Sequence, residues 1–343
     1  MVYLPENSCK FTSKIDGNIY LLTQRKIMHF IVTGGAGFIG SHLTEQLLSD
    51  GHHVTVVDNL STGNLQNLPE HPHLQLLIKD ISKCEPTDFT DQIDGLAHLA
   101  ATPSVTQSWL QPLQAHHNNL SATIAVIQLC QALNIPRLVF ASSAAVYGTP
   151  KILPISENQQ TYPISPYGLQ KLVCEQYAKL FSKQLGFSFV GLRLFNVFGP
   201  RQQPNSQYSG VISIFVDAMQ QGLPITIYGN GTQTRDFIYV KDVADGFTKA
   251  LITPLKAGSS LICNLGNGKN TSLIELVDIL KTCFPGQQSA INFMPSRPGD
   301  IQHSQADISN ASLLLDFIPH CSLKSGLESL TSQVSLYEYQ SIG

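Results

Sequence analysis

The sequence has no apolar run of the ~18 residues that a membrane-crossing helix needs. It has no excess of basic charge: 21 Lys and Arg stand against 24 Asp and Glu, for a net charge of -3. Nucleic-acid binding, which relies on a positive surface to meet phosphates, has no electrostatic basis here. The seven cysteines are odd in number and scattered, with no C-x-x-C pair. That spacing offers neither a zinc site nor a disulfide frame, so we expect no metal, free thiols and a reducing cytoplasmic setting. There is no internal repeat and no low-complexity tract. What remains is 343 residues, 43% hydrophobic and only 13% charged, enough for one large or two modest cores.

The first 27 residues differ from the rest. They contain no apolar central region and no small-residue cleavage site, so they make a poor signal peptide. We expect residues 1–27 to be a weakly ordered or dispensable extension, because Met28 immediately precedes the first strong strand pattern. From there short apolar runs alternate with longer helix-period segments. The runs are 28–34, 53–59, 74–80, 95–101, 137–143 and 187–195; the longest helical segments are 38–50, 110–134 and 167–185. Continuous apolar runs suit strands covered on both faces, and the alternation predicts a doubly wound parallel α/β sheet. We place that unit at 28–192, with a return segment at about 237–262. A smaller α/β unit is expected from 193–236 and 263–336, where the rhythm loosens.

"VTGGAGFIGSH" (32–42) follows the first strand and opens the first helix. Gly34, Gly37 and Gly40 let the turn tighten and let a pyrophosphate approach backbone N–H groups at a helix N-terminus. Asp58 ends the second strand, where a carboxylate accepts both ribose hydroxyls and repels a 2′-phosphate. Asn59, Leu60 and Ser61 follow it, with no arginine, which favours NAD over NADP. Asp80 ends the third strand, and the small residues of "HLAA" (98–101) leave room above the sheet at the end of the fourth. "FASSAAVYG" (140–148) closes the fifth strand with Ser142 and Ser143. "SPYGLQK" (165–171) then starts a helix, with Ser165 as N-cap, Pro166 as first residue, and Tyr167 and Lys171 one turn apart on one face. A free tyrosine has a pKa of about 10 and is a weak base at neutral pH. A neighbouring ammonium favours its phenolate. Ser143 can steady the oxygen that changes charge.

Taken in order, "TGGAGFIG", "VVDNLSTG", "HLAA", "SSAAVYG", "YGLQK", "RLFNVFGPRQ", "RDFIYVKDV" and "RPGDIQHSQADIS" make the chain resemble the extended short-chain dehydrogenase/reductase family, specifically its nucleotide-sugar epimerases and dehydratases, over about residues 28–320. The resemblance implies cofactor contacts at Gly34, Gly37, Phe38, Ile39, Asp58, Asn59, Thr62, Gly63, Asp80, Ile81, Leu99, Ala101 and Asn119, as well as at Tyr167 and Lys171. It implies catalysis by Ser143, Tyr167 and Lys171, and nucleoside-diphosphate contacts at Asn196, Arg235, Arg297 and Asp300. It also implies a homodimer through the helices near 110–134 and 167–185. These carry apolar residues beyond one stripe: Ile124, Val126, Ile127, Leu129, Leu172, Val173 and Leu180.

Similar dehydratases and decarboxylases carry acidic residues just after the catalytic serine or threonine. Ala144 and Ala145 stand there in this chain, and alanine moves no proton. The resemblance therefore implies NAD-dependent 4-epimerisation of a UDP-sugar. Ser304, where galactose-type epimerases have a tyrosine, and "SVTQS" (104–108), with Ser104 in the sugar pocket, point to UDP-N-acetylglucosamine and UDP-N-acetylgalactosamine or their uronic acids. A UDP-glucose/galactose 4-epimerase and a 4-keto-sugar reductase on the same frame are the alternatives. More distant is an NAD-binding regulator without catalysis, which an intact Ser/Tyr/Lys set argues against.

Overall fold

The structure is a computed structural model and describes residues 10–15, 18–23, 26–203, 210–286, 289–296 and 300–340. Arg297 lies outside them. The centre is a seven-stranded sheet of β1 (His29–Thr33), β2 (His53–Asp58), β3 (Leu74–Ile78), β4 (Gly95–His98), β5 (Arg137–Ser143), β6 (Ser188–Leu194) and β7 (Ser260–Leu265). The spatial order is β7-β6-β5-β4-β1-β2-β3. Every neighbouring pair is parallel. Parallel strands need crossover connections, and helices on both faces supply them. The chain winds outward from β1 in one direction through β2 and β3, then in the other from β4. The reversal between β1 and β4 opens a crevice above their carboxyl ends.

The inner strands are buried on both faces, which is why they read as continuous apolar runs. The edge strand β3, expected to be covered likewise, exposes Leu76 and Ile78 because no strand pairs beyond it. In β1, Phe30 and Val32 pack with Leu43, Leu47, Val56 and Phe247 on one face. Ile31, between them, packs with Val126, Ile127, Phe140 and Phe189 on the other. The helices Phe38–Ser49 and Val240–Ile252 cover the first face and Ala122–Ala132 and Pro166–Leu185 the second. The last of these starts as the sequence predicts: Ser165 Oγ accepts from Gly168 N at 3.1 Å and Pro166 opens the helix. Gly186 ends it at φ 84°, a left-handed conformation that glycine adopts without strain.

The chain departs from expectation in one long helix. The single helix expected over 110–134 is interrupted. It runs as Val105–Leu110, Pro112–His116, one wide π-type turn at His117–Ser121, and Ala122–Ala132. Pro112 donates no N–H and keeps Gln111 from helical geometry, so the helix breaks there. The apolar surplus on this segment is also smaller than expected, because Val126, Ile127 and Leu129 are all buried in the sheet-facing core. Within the expected N-terminal extension, Lys10–Ile15 pairs antiparallel with Asn18–Thr23 as a separate two-stranded sheet.

A third apolar cluster lies beside the sheet, built from Phe198, Phe215, Met219, Ile227, Leu276 and Leu280 among others. Its short strands pair as Ile225–Tyr228 with Ile291–Met294, Thr234–Arg235 with Thr271–Ser272, and Asn196–Phe198 with Phe237–Tyr239. The strand Phe237–Tyr239 alternates between cores: Phe237 and Tyr239 face this cluster, and Ile238 faces the sheet. Phe247, fully buried, is the largest side chain that the Val240–Ile252 helix places in the sheet-side core. Phe247→Ala should destabilise the fold by about 3–5 kcal/mol, read as a lower denaturant midpoint. An unchanged midpoint would mean that this helix does not seal the sheet.

Candidate active site

The glycine loop joins β1 to the Phe38–Ser49 helix. Gly34 has φ 69°, and Gly37 N donates back to Gly34 O at 3.1 Å. The helix then passes so close that a Cβ on Gly40 would lie 2.1 Å from Gly34 O. Asp58 closes the other side. It is buried, and its Oδ2 accepts from Ala36 N at 3.0 Å while Oδ1 accepts from Leu60 N at 2.8 Å. A Cβ at Gly63 would approach Asp58 Oδ1 to 2.8 Å. The carboxylate is thus fixed between the glycine loop and the 59–63 turn, with acceptor capacity left for two hydroxyls. Asp80, at the end of β3, accepts from Ser82 N and Ser82 Oγ and meets Asn59 Nδ2 at 3.5 Å. This cradle fits a dinucleotide: bare backbone for a pyrophosphate at a helix start, and carboxylates for a ribose.

Above it opens a cavity of about 1090 Å³ along the carboxyl ends of the strands. Of the residues expected to bind or react, Gly34, Gly37, Phe38, Ile39, Asp58, Asn59, Thr62, Gly63, Asp80, Ile81, Leu99, Ala101, Ser143, Tyr167, Lys171 and Asn196 all line it. Ser143 ends β5 and its Oγ accepts from Ala145 N at 3.2 Å. Tyr167 and Lys171 share the buried face of the Pro166–Leu185 helix. Lys171 Nζ donates to Ala141 O at 2.7 Å and lies 5.8 Å from the centre of the Tyr167 ring. Burial pushes the Tyr167 phenol up to about 12, opposed by a hydrogen bond to Ser143. Burial pushes the Lys171 ammonium down to about 8. Both shifts come from burial, which makes any further positive charge beside the phenol favour its ionised form strongly.

Other expected residues lie off this wall. Asn119 is buried beneath it. Its Oδ1 accepts from Thr102 N at 2.7 Å and its Nδ2 donates to Gln170 Oε1 at 2.7 Å, so it fixes the strand-end loop, and the adjacent Asn118 lines the cavity. The wide turn at His117–Ser121 rotates the two asparagines relative to a regular helix. Ser104 is buried as the N-cap of Val105–Leu110. Ser304 is buried with its N–H on Thr234 O. Arg235 is held by Asp300 Oδ1 at 2.7 Å and by Ile301 O at 2.6 Å, on the strand pair beside the cavity.

The sequence reading left three charged residues unassigned. Arg201 lines the cavity and reaches across to Ser41 Oγ at 3.0 Å and to Glu45 on the glycine-loop helix. Arg193 and Glu175 form a buried ion pair below the catalytic set. The signal for Arg193 was present, since a lone arginine inside the apolar run of β6 requires a buried partner.

Residues 30–266 match the family described as NAD dependent epimerase/dehydratase family. A putative UDP-glucose 4-epimerase of Methanocaldococcus jannaschii is 40% identical over 300 residues, 87% of this chain and 95% of that protein. Among solved structures, a UDP-N-acetylglucosamine 4-epimerase from Methanobrevibacter ruminantium in complex with UDP-N-acetylmuramic acid has a TM-score of 0.86 at 36% identity, covering 91% of this chain and 100% of that one. A UDP-glucuronic acid 4-epimerase from Bacillus cereus, in complex with UDP-glucuronic acid and NAD, has a TM-score of 0.82 at 34% identity, covering 90% and 100%.

The closeness of the glycine loop gives a test. Gly40→Ala must push the helix start off Gly34 O. We expect overpacking of about 1–3 kcal/mol and a dinucleotide affinity at least several-fold weaker by isothermal titration. A variant that binds NAD like the parent would mean the loop does not need this approach.

Proposed function

This chain belongs to the NAD dependent epimerase/dehydratase family, and from that premise we propose that it interconverts the C4 epimers of a UDP-sugar, with UDP-N-acetylglucosamine and UDP-N-acetylgalactosamine or their uronic acids as the substrates. The observation that carries the reading is the convergence of Ser143, Tyr167 and Lys171 on the cavity whose far end is the glycine loop and Asp58. NAD, when bound, accepts a hydride from C4 of the sugar and later returns it.

The residues of this chain do the rest. Tyr167 takes the proton of the 4-hydroxyl as C4 becomes a ketone. Lys171, fixed by Ala141 O, supplies positive charge near the phenolate that forms. Ser143 donates to the sugar oxygen as its charge changes. Ala144 and Ala145, which form the turn after Ser143, offer no acid to expel water from the neighbouring carbon, so the keto sugar persists until its opposite face is presented. Tyr167 then returns the proton. Asn196 on the cavity wall and Arg235 beside it, with Arg297 and Asp300, are the groups we assign to the nucleoside diphosphate. Guanidinium groups suit its phosphates by bidentate hydrogen bonding.

Support for the N-acetylated sugar comes from serine at 304, from the "SVTQS" stretch and from similarity to a UDP-N-acetylglucosamine 4-epimerase. The similar protein named a putative UDP-glucose 4-epimerase favours UDP-glucose as the second reading. Incubation with a panel of UDP-sugars and separation of the products decides between them. We expect UDP-N-acetylglucosamine to give its C4 epimer with the highest kcat/KM and without net consumption of cofactor. Preference for UDP-glucose would promote the second reading, and stoichiometric cofactor oxidation would indicate a reductase. Tyr167→Phe should keep NAD binding and lose about 10²-fold or more in kcat. A wild-type rate would overturn the mechanism.

We also assign a homodimer. Trp109, Leu113 and Leu180 are 63, 76 and 70% exposed on the neighbouring helices Val105–Leu110, Pro112–His116 and Pro166–Leu185. A second copy of the chain would cover such side chains. Sedimentation at micromolar concentration should give twice the chain mass; a monomer would remove the assignment.

A further inference from the structure

Three consecutive residues at the end of β5 face one helix, and two of them are hydrogen-bonded to it. Lys171 Nζ donates to Ala141 O at 2.7 Å. Ser142 Oγ donates to Glu175 Oε1 at 2.5 Å. Ser143 and Tyr167, the next pair up, face the same cavity. Tyr167, Lys171 and Glu175 recur every four residues, so they stack on one face of the Pro166–Leu185 helix. Two of these pairs carry the reacting residues. The middle one does not.

Glu175 is only 4% exposed, and an isolated carboxylate there would be expelled or neutralised. Arg193 on β6, 6% exposed, prevents that with a two-pronged pair: Nε to Oε1 at 2.9 Å and Nη2 to Oε2 at 2.7 Å. The guanidinium continues to Tyr147 Oη at 3.0 Å, and that hydroxyl donates to Asn264 Oδ1 on β7 at 2.6 Å. A buried polar chain thus links β5, β6, β7 and the helix under the site. Its negative end stands one helical turn beyond Lys171.

We propose that Glu175 is a positioning residue for Ser143, Tyr167 and Lys171: clamped by Arg193, it sets the end of β5 through Ser142 and places a fixed negative charge one helical turn from Lys171. This rests on the reading of Tyr167 as the base. The titratable and charged groups around Lys171 are Tyr167, Cys174 and Glu175 on its own helix, His98 on β4, and Arg193, whose charge reaches the helix through Glu175. Cys174 and Tyr167 are held neutral by burial, and burial holds His98 neutral at about 3, so Glu175 is the anion that favours the ammonium.

The sign follows. Glu175→Gln removes that anion and leaves the Arg193 charge uncompensated, and both changes disfavour a second cation nearby. The Lys171 titration midpoint should fall by on the order of one pH unit, and the alkaline limb of kcat should move with it to lower pH. KM should stay within about twofold, since Glu175 lies below the cavity wall. The midpoint is read by carbon-13 NMR of labelled lysine side chains, with the Lys171 resonance identified by its loss in Lys171→Met. The limb is read from the pH profile of epimerisation. A parental midpoint and limb with reduced kcat or melting temperature would overturn the proposal and leave Glu175 as packing. If Glu175→Gln does not fold, Glu175→Asp decides: a smaller shift in the same direction supports the proposal, and a parental midpoint overturns it. The NMR midpoint needs no turnover, so a parent inactive on every UDP-sugar would strike the proposed function without obscuring this result.

Discussion

Seven strands that pair parallel must all end at the same edge of their sheet. That constraint places the glycine loop after β1, Asp58 after β2, Asp80 after β3 and Ser143 after β5 along one line, although more than a hundred residues separate the first from the last. No local interaction brings them together. The crossover helices do so by covering both faces, and the helix after β5 returns Tyr167 and Lys171 to the same edge. The chemistry is concentrated because the topology leaves it nowhere else to go.

Tyr167 and Lys171 are also buried, and burial acts on each differently. It makes the Tyr167 phenol harder to ionise and the Lys171 ammonium harder to keep, so neither residue is poised by itself. Each depends on partners supplied by another strand: Ser143 and Ala141 from β5, Glu175 through Arg193 from β6. A low-dielectric pocket raises the stakes of every such contact, favourable or not.

Much of this was legible in the sequence, and the reasons are physical. A strand buried on both faces has to be apolar throughout, so β5 was bounded correctly at 137–143. Glycines at a strand-to-helix turn, and serine then proline before a helix, report local backbone requirements that reside in the residues themselves. What escaped were features fixed by distant contacts or by subtle backbone geometry. The wide turn at His117–Ser121 puts Asn118 on the cavity wall and Asn119 beneath it, and nothing in "HNNLS" encodes that geometry. The break at Pro112 was visible as a signal but outweighed by neighbouring periodicity. The partner of Arg193 sits 18 positions earlier on a helix, a pairing only the packed fold reveals.

The strand Phe237–Tyr239 sends alternate side chains into two cores, with Ile238 on the sheet side and its neighbours on the other. One three-residue segment therefore works as a rivet. The flanking cluster cannot swing away on a hinge at this point without extracting a side chain from each interior. Closure over a bound ligand must then come from loops rather than from rigid-body rotation. Heating should likewise dissolve both interiors in one cooperative event, because neither keeps its packing when that strand is withdrawn.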